Sequence, residues 1–247
     1  MEKISVIIIT KNEELQIEEC LKSVSWADEI ILVDSESTDK TIDIAKKYTD
    51  KFFVKKWEGF APQKSYALSL ANNEWVLSLD ADERISEELK HEILNVDLNS
   101  FDGYSIPRNN YFLHKLIKTC GWEKDSQLRL LKKCKTSVTD RLVHEGFIVN
   151  GNTGKLKSPM LHFTYNTIES AISKINHYSS LQALERYKTK GRVNGFTIIA
   201  HGIASFYKTF FALKGFRDGV HGLCIAFIDS FTTFLTYMKI WELQKNK

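Results

Sequence analysis

Four short runs rich in β-branched and other apolar residues, separated by helix-like stretches, occupy the first third of the chain, and this alternation restricts the fold more than any other feature. Ser5 to Thr10 reads as a buried strand, and Glu13 to Val24 then carries Leu15, Cys20, Leu21 and Val24 at helical spacing. Glu29 to Val33 is a second strand, Thr38 to Tyr48 a helix, Lys51 to Trp57 a third strand, Pro62 to Ala71 a helix, and Trp75 to Leu79 a fourth strand. Strands alternating with helices of this length need crossover connections, so they pair in parallel and the helices flank the sheet. Ligands of such sheets bind beyond the carboxyl ends of the strands. The polar residues sit at those ends: Thr10-Lys11-Asn12-Glu13, Asp34-Ser35-Glu36-Ser37-Thr38-Asp39 and Asp80-Ala81-Asp82-Glu83. Three polar clusters are therefore expected along one sheet edge.

After Asp97 the alternation weakens. Gly103 to Leu113, Gln127 to Lys132 and Leu142 to Val149 read as strands of a mixed segment, and beyond Tyr165 the chain reads as helical to its end. The expected organisation is an α/β region over residues 1–164, with halves 1–97 and 98–164, and a helical extension over 165–247. With 247 residues, 43% of them hydrophobic, there is enough apolar material for one large core or a core with an appendage. A net charge of +3 gives no global reason to expect a nucleic-acid partner. The four cysteines, Cys20, Cys120, Cys134 and Cys224, form no C-x-x-C pair, so reduced thiols are expected rather than a zinc site or a disulfide framework. The chain runs from Met1-Glu2-Lys3 into a strand too short for a signal segment, and a cytoplasmic protein is expected.

Asp80 and Asp82, one residue apart after an apolar strand, are placed to offer oxygen ligands to a hard divalent ion, Mn2+ or Mg2+. Such an ion neutralises the charge that develops on a departing diphosphate. The plainer alternative is a solvated turn leading into a helix that begins near Ser86. Asp34, at a strand end, suits hydrogen bonds to a nucleotide base or ribose, or else a turn satisfied by backbone amides. Ser37 is expected to cap the following helix.

The strand-Thr-x-Asn-Glu opening, the Val-Asp-x-x-Ser-Thr-Asp segment and the Leu-Asp-Ala-Asp-Glu segment together resemble family 2 glycosyltransferases. The likeness extends through Gly59-Phe60-Ala61-Pro62-Gln63-Lys64, Arg129-Leu130 and Val143-His144-Glu145, and the chain resembles the branch containing lipopolysaccharide core β-1,4-glucosyltransferases. The resemblance implies a GT-A fold, Rossmann-like with a mostly parallel sheet flanked by helices, and inverting transfer of a hexose from a UDP-sugar. The acceptor it implies is a glycolipid or saccharide of the cell envelope. By the same resemblance Thr10, Glu13 and Asp34 lie around base and ribose, Lys64 near the donor, and Asp80 with Asp82 at the diphosphate and metal. One departure is that Ser35 follows Asp34 where many members have a second aspartate, which loosens the inference to the base.

Inversion requires a carboxylate to take the acceptor proton. Glu145 is the first choice, ahead of Asp140 and then Asp125, with an ion pair to Arg141 or Arg129 as the competing role for Glu145. Trp122, Asp125 and Arg129 are assigned to the acceptor, because an indole stacks on sugar rings and a guanidinium grips phosphate; core packing competes for Trp122. Tyr104, Tyr111 and Phe112 are read as packing.

Two other functions fit part of the pattern. A sugar nucleotidyltransferase also uses paired carboxylates and a divalent ion, but Thr10-Lys11-Asn12-Glu13 lacks the glycine-rich phosphate loop expected of one. A noncatalytic sugar-binding scaffold would have no need to keep Asp80, Asp82 and Glu145 together. Phe196 to Phe211 and Val220 to Met238, parted by Gly215-Phe216-Arg217-Asp218-Gly219, are long enough to suggest membrane spans. Asp229 at mid-span costs about 3 kcal/mol there, so a hairpin lying in the membrane interface is expected, against packing on the fold or a second subunit.

Overall fold

The computed structural model describes residues 2–139, 146–188 and 191–245. The chain forms two compact units, Met1–Arg108 with Asp125–His162, and Asn109–Lys124 with Phe163–Lys247. Elements run β1 (Ile4–Thr10), α1 (Ile17–Ser23), β2 (Glu29–Asp34), α2 (Thr41–Ala45), β3 (Phe52–Val54), α3 (Phe60–Leu70), β4 (Trp75–Asp80), β5 (Glu83–Arg84) and α4 (Glu87–Asn95). The remainder are β6 (Gly103–Phe112), β7 (Lys115–Leu116), β8 (Ser126–Lys132), β9 (Thr136–Val138), β10 (Phe147–Val149), β11 (Thr153–Lys155), β12 (Met160–Tyr165), α5 (Ile168–Tyr187), α6 (Gly195–Tyr207) and α7 (Val220–Lys245).

In the first unit β1 is central and all seven of its residues are buried, as a strand covered on both faces must be. It pairs in parallel with β2 on one side and β4 on the other, and β3 extends the parallel half beyond β2. The crossover helices expected from the alternation are α1, α2 and α3. From β4 the sheet turns mixed: β8 is antiparallel to β4, β6 is antiparallel to β8, and β11 joins β6 in parallel. β5 pairs antiparallel with β12, and β9 with β10 form a separate two-stranded ribbon.

Period-two alternation along β1 builds two core layers. Val6 and Ile8 face α1 and α4 through Cys20, Leu21, Leu89 and Ile93, whereas Ile7 and Ile9 face α3 through Ala67 and Leu68. Each fully buried Ile or Leu contributes about 1.5–3 kcal/mol relative to exposure, so these layers hold the sheet edge in place. Ser86 caps α4 by accepting from Leu89 N. All four cysteines are free, and burial pushes the Cys20 thiol up to about 12, which keeps it inert.

Several boundaries differ from the pattern, β3 covering only Phe52–Val54 of the expected Lys51 to Trp57, and two of them bear on the sheet edge. The first helix starts at Ile17 rather than Glu13, leaving Leu15 86% exposed, and the second is confined to Thr41–Ala45. In both cases the missing turn is spent on loop-to-loop hydrogen bonds at the sheet edge, described below.

At the opposite end of the sheet Glu29 is buried, and its carboxylate accepts from Ser5 Oγ and from Asn72 N at 2.9 Å and pairs with Lys51. Burial raises this carboxyl, but Lys51, Ser5 and Asn72 together more than offset it and hold it at about 2. A depressed folded-state value means stability present above the ordinary glutamate range and lost as pH falls toward 2. Glu29→Gln is therefore expected to cost ~2 kcal/mol at neutral pH in urea unfolding, with the gap to the parent closing as pH is lowered from 4. A gap that stays constant across that range would remove the carboxylate's charge as its cause.

In the second unit β7 pairs with the end of β6 at Tyr111 and Phe112. α5 opens on a capping box made by Thr167 and Ser170, and Asn194 caps α6 by accepting from Thr197 N. A π-helical turn at Lys208–Ala212 and a 3-10 turn at Gly215–Asp218 join α6 to α7, with Lys214 and Gly219 at positive φ. The glycine-bounded break expected from the sequence thus falls between the two apolar helices. Gly222 is required by close approach, since a Cβ there would lie 1.8 Å from the Gly215 carbonyl oxygen.

Candidate active site

Register brings the three polar clusters together. Thr10 lies opposite Asp34 across β1 and β2, and Ile9 lies opposite Asp80 across β1 and β4, so all three strands end at one level. The loops that follow are fastened to each other. Asn12, at φ 53°, donates its N–H to Ser37 Oγ at 2.8 Å and accepts from Thr38 N at 2.8 Å through its side chain. Glu13 N donates to Thr41 Oγ1 at 2.8 Å and Glu14 N to Asp39 Oδ2 at 3.1 Å. Ser37 is not a helix cap, contrary to expectation: α2 begins four residues later, and the Ser37 hydroxyl instead donates to Asp34 Oδ1 at 2.5 Å while accepting from Asn12. Competition from a nearby carboxylate and backbone amide displaced the local capping role.

Asp34 is fully buried and also accepts from Ser37 N at 2.7 Å. Next to it, Gln63 donates through Nε2 to Ser35 Oγ at 2.7 Å and to the Lys55 carbonyl at 2.9 Å. Gln63 Oε1 and Thr10 Oγ1 are buried without a hydrogen-bond partner. An unsatisfied buried polar atom costs about 1–3 kcal/mol, so two of them at a sheet edge suit a polar ligand.

The Asp80-to-Glu83 turn is held from three directions. Glu83, fully buried, accepts from Asp80 N at 2.9 Å, from Arg129 at 2.6 Å and from Arg108 at 3.1 Å. Arg84 donates to the Ala81 and Glu83 carbonyls at 2.9 Å and to Gln16 Oε1 at 2.6 Å. Arg129 also grips Asp80 Oδ2 at 2.5 Å, and Lys64 Nζ approaches Asp80 Oδ1 to 3.6 Å. Burial would raise the Asp80 carboxyl, but Arg129 and Lys64 outweigh it and hold it well below the carboxylate range. Burial works against the Arg129 charge as well, and Asp80 with Glu83 more than restores it. Arg129 Nε remains buried and unpartnered.

Asp82 has a different neighbour. Its Oδ1 lies 3.6 Å from Nε2 of His162, which β12 delivers directly opposite Glu83, and both side chains keep 14% of their exposure. Among the described residues no group of three or more His, Cys, Asp or Glu is close enough to hold a metal by itself. The Asp82 carboxylate suits Mn2+ or Mg2+, which keep substrate phosphates and water among their ligands, whereas the His162 imidazole is a softer donor that Mg2+ would not favour.

Thr10, Glu13, Asp34, Lys64, Asp80, Asp82 and Arg129 therefore meet along one edge of the first unit. Asp125, in the same unit, is clamped by Arg108 at 2.6 Å and by Gln127 at 3.0 Å. Trp122 belongs to the second unit, where it packs half-buried against the cluster of Phe112, Ile117 and Cys120. Glu145 and Asp140 lie outside the described residues. Glu83 and Gln63 stand inside quoted motifs but were given no role, and His162 and Arg108 were not singled out by sequence; His162 sits in Met160–Tyr165, a strand with no motif to mark it.

A parallel half-sheet whose carboxyl edge carries an Asp-x-Asp turn backed by cations, continued by a mixed half, is the GT-A arrangement of enzymes that use activated sugars. The family model described as glycosyl transferase family 2 matches residues 5–144, and the chain belongs to that family and is a glycosyltransferase. It is 35% identical to an uncharacterized glycosyltransferase of Rickettsia typhi, over 98% of this chain and 88% of the relative. It is 30% identical to the lipopolysaccharide core biosynthesis glycosyltransferase LpsC of Rhizobium meliloti, over 97% of this chain and 92% of that one. The crystal structure of S. aureus TarS 1–349 in complex with UDP-GlcNAc superposes with a TM-score of 0.53 at 20% identity, covering 99% of this chain and 92% of that chain.

Proposed function

We propose that this glycosyltransferase is inverting and metal-dependent, and that it moves a hexose from a UDP-sugar to a lipopolysaccharide-core or other cell-envelope glycan acceptor, working in the cytoplasm at the membrane's inner face. The carrying observation is the pairing of Asp82 with His162 beside the cation-bound Asp80, at the edge where Thr10 and Gln63 leave buried acceptors open. LpsC, similar over nearly the whole chain, is a lipopolysaccharide core enzyme by name, and TarS was crystallised with UDP-GlcNAc.

In this reading Thr10, Glu13, Asp34 and Gln63 receive the base and ribose. Asp80 and Asp82, with His162 beside Asp82, would hold the divalent ion, whose contribution when bound is to neutralise charge on the leaving diphosphate. Asp80 stays ionised because Arg129 and Lys64 face it, and Lys64 adds a positive charge at the diphosphate end. Arg129 and Glu83 orient that turn, Asp125 serves the acceptor, and Glu145 takes the acceptor proton.

A thermal-shift series with UDP, GDP and CDP, each with and without Mn2+, tests the donor assignment. UDP with Mn2+ is expected to raise the midpoint more than UDP alone, because a ligand at 100 times its Kd stabilises by about 2.7 kcal/mol. A larger shift from GDP or CDP would overturn the choice of uridine, and equal shifts with and without Mn2+ would overturn the metal.

A further inference from the structure

The second unit leaves an apolar surface uncovered. On α6, Phe196, Ile199, Ile203 and Tyr207 recur at three- and four-residue intervals and all are exposed, and Phe211 continues the row on the π-helical turn. On α7, Phe227, Phe231, Met238 and Trp241 form a second exposed row. An open groove of about 440 Å³ runs between them, lined by Ile203, Phe206, Tyr207, Phe227, Phe231 and Phe234. The unit's own core lies elsewhere, where Tyr237 and Ile240 of α7 pack with Ala183 of α5 and Ile198 of α6. Contiguous exposed apolar surface of this kind marks an interaction site.

The hydroxyls spread along α7 are satisfied internally. Ser230 Oγ donates to the Gly202 carbonyl at 2.8 Å, and Thr232, Thr233 and Thr236 donate to carbonyls one turn back at 2.8–2.9 Å. Burial pushes the Asp229 carboxyl up, and Thr209 donates to it at 2.8 Å. Such self-sufficiency is what a hydrocarbon environment demands. Charge is sorted too. Lys208, Lys214 and Arg217 are exposed around the turn, whereas the two acidic residues between 191 and 241 are withdrawn: Asp229 as above, and Asp218 accepting from Lys118 N at 3.0 Å and Thr119 Oγ1 at 2.7 Å.

We propose that this face docks on an anionic lipid bilayer, with α6 and α7 lying in the headgroup plane, acyl chains against the groove, and Lys208, Lys214 and Arg217 meeting lipid phosphates. It deepens the peripheral placement proposed above by naming the surface. α7 has the length and composition to cross a membrane, but it is anchored along α5, where Lys239 Nζ donates to the Asn176 carbonyl, Ser179 Oγ and Ser180 Oγ at 2.8 Å each. An in-plane hairpin keeps those bonds. A second copy of the chain fits less well: a two-fold contact sets the patch against itself, and between 191 and 241 it presents exposed cations with no exposed carboxylate to meet them.

Flotation of the full chain with phosphatidylcholine vesicles and with vesicles containing phosphatidylglycerol, at low and high salt, tests this. The parent is expected to float with the anionic vesicles at low salt. Lys208→Glu/Lys214→Glu/Arg217→Glu should weaken partitioning roughly 100-fold or more, at about fivefold per cation near an anionic surface. Phe227→Ser/Phe231→Ser, at exposed positions that leave the core intact, should also release the protein. UDP-induced thermal shifts in each variant report the donor site separately. A parent that stays down with anionic vesicles yet responds to UDP overturns the docking surface and leaves the donor reading standing. So does a dimer in sedimentation that Phe227→Ser/Phe231→Ser dissociates, or variants that float like the parent.

Discussion

Asp82→Asn is expected to lower transfer by roughly 100-fold or more and to abolish the Mn2+ dependence of UDP binding, with the fold intact. The substitution removes a charge and retains the shape. Asp82 is the suitable position because its Oδ1 lies 3.6 Å from the His162 imidazole and both side chains reach solvent, whereas Asp80 is held by a buried guanidinium. The corresponding change at Asp80 would leave Arg129, buried and bound to Asp80 and Glu83, with a single carboxylate, and a broken buried pair costs about 3–5 kcal/mol. Loss of activity in Asp80→Asn would therefore mix instability with chemistry, whereas Asp82→Asn separates them. Calorimetry of UDP with Mn2+ decides the matter, alongside unfolding midpoints. His162→Gln should reproduce the metal defect. If Asp82→Asn binds UDP and Mn2+ as tightly as the parent, the ion is held elsewhere.

The donor half was legible because its signals are local. A strand buried on both faces, as β1 is, has to be an unbroken apolar run, and Thr10, Asp34 and Asp80 are marked as strand ends by the residues just before them. Parallel pairing followed from the crossover lengths, and register then made the clusters converge without further information. Periodicity gave the parallel α/β half, while the GT-A architecture and the glycosyltransferase class came from the resemblance of the strand-end motifs to family 2 glycosyltransferases.

What escaped depends on contacts between distant segments. Arg129 reads as one residue of the strand Ser-Gln-Leu-Arg-Leu-Leu-Lys, yet its partners Asp80 and Glu83 precede it by 49 and 46 residues. His162 reaches Asp82 only because the two-residue strand β5 pairs with β12, an interaction with no periodicity to announce it. Local rules also misled where tertiary partners were stronger. Ser37 carries the sequence of a helix cap, but Asp34 and the Asn12 amide claimed its hydroxyl and delayed the helix to Thr41.

Glu145→Gln is expected to bind UDP-sugar and Mn2+ like the parent while losing roughly 100- to 10,000-fold of the transfer rate, because general-base catalysis contributes on that order. The proposal of Glu145 rests on its place in Val143-His144-Glu145, and the engagement of other carboxylates supports it. Asp80 is bound by Arg129 and Lys64, Glu83 by Arg108 and Arg129, and Asp125 by Arg108 and Gln127, so protonating any of these would disrupt an existing ion pair. Asp82 lies with His162 at the proposed metal, on the leaving-group side, whereas inversion needs a base on the opposite face of the sugar. On either side of residues 140–145, Thr139 N donates to the Gly146 carbonyl at 2.8 Å and Gly146 N donates to Thr139 Oγ1 at 2.9 Å. Measuring kcat with saturating donor isolates the proton-transfer role, since a base that touches only the acceptor hydroxyl leaves donor Kd unchanged. Normal turnover in Glu145→Gln together with a dead Asp140→Asn would move the base five residues back, and normal turnover in both would return Asp125 to consideration.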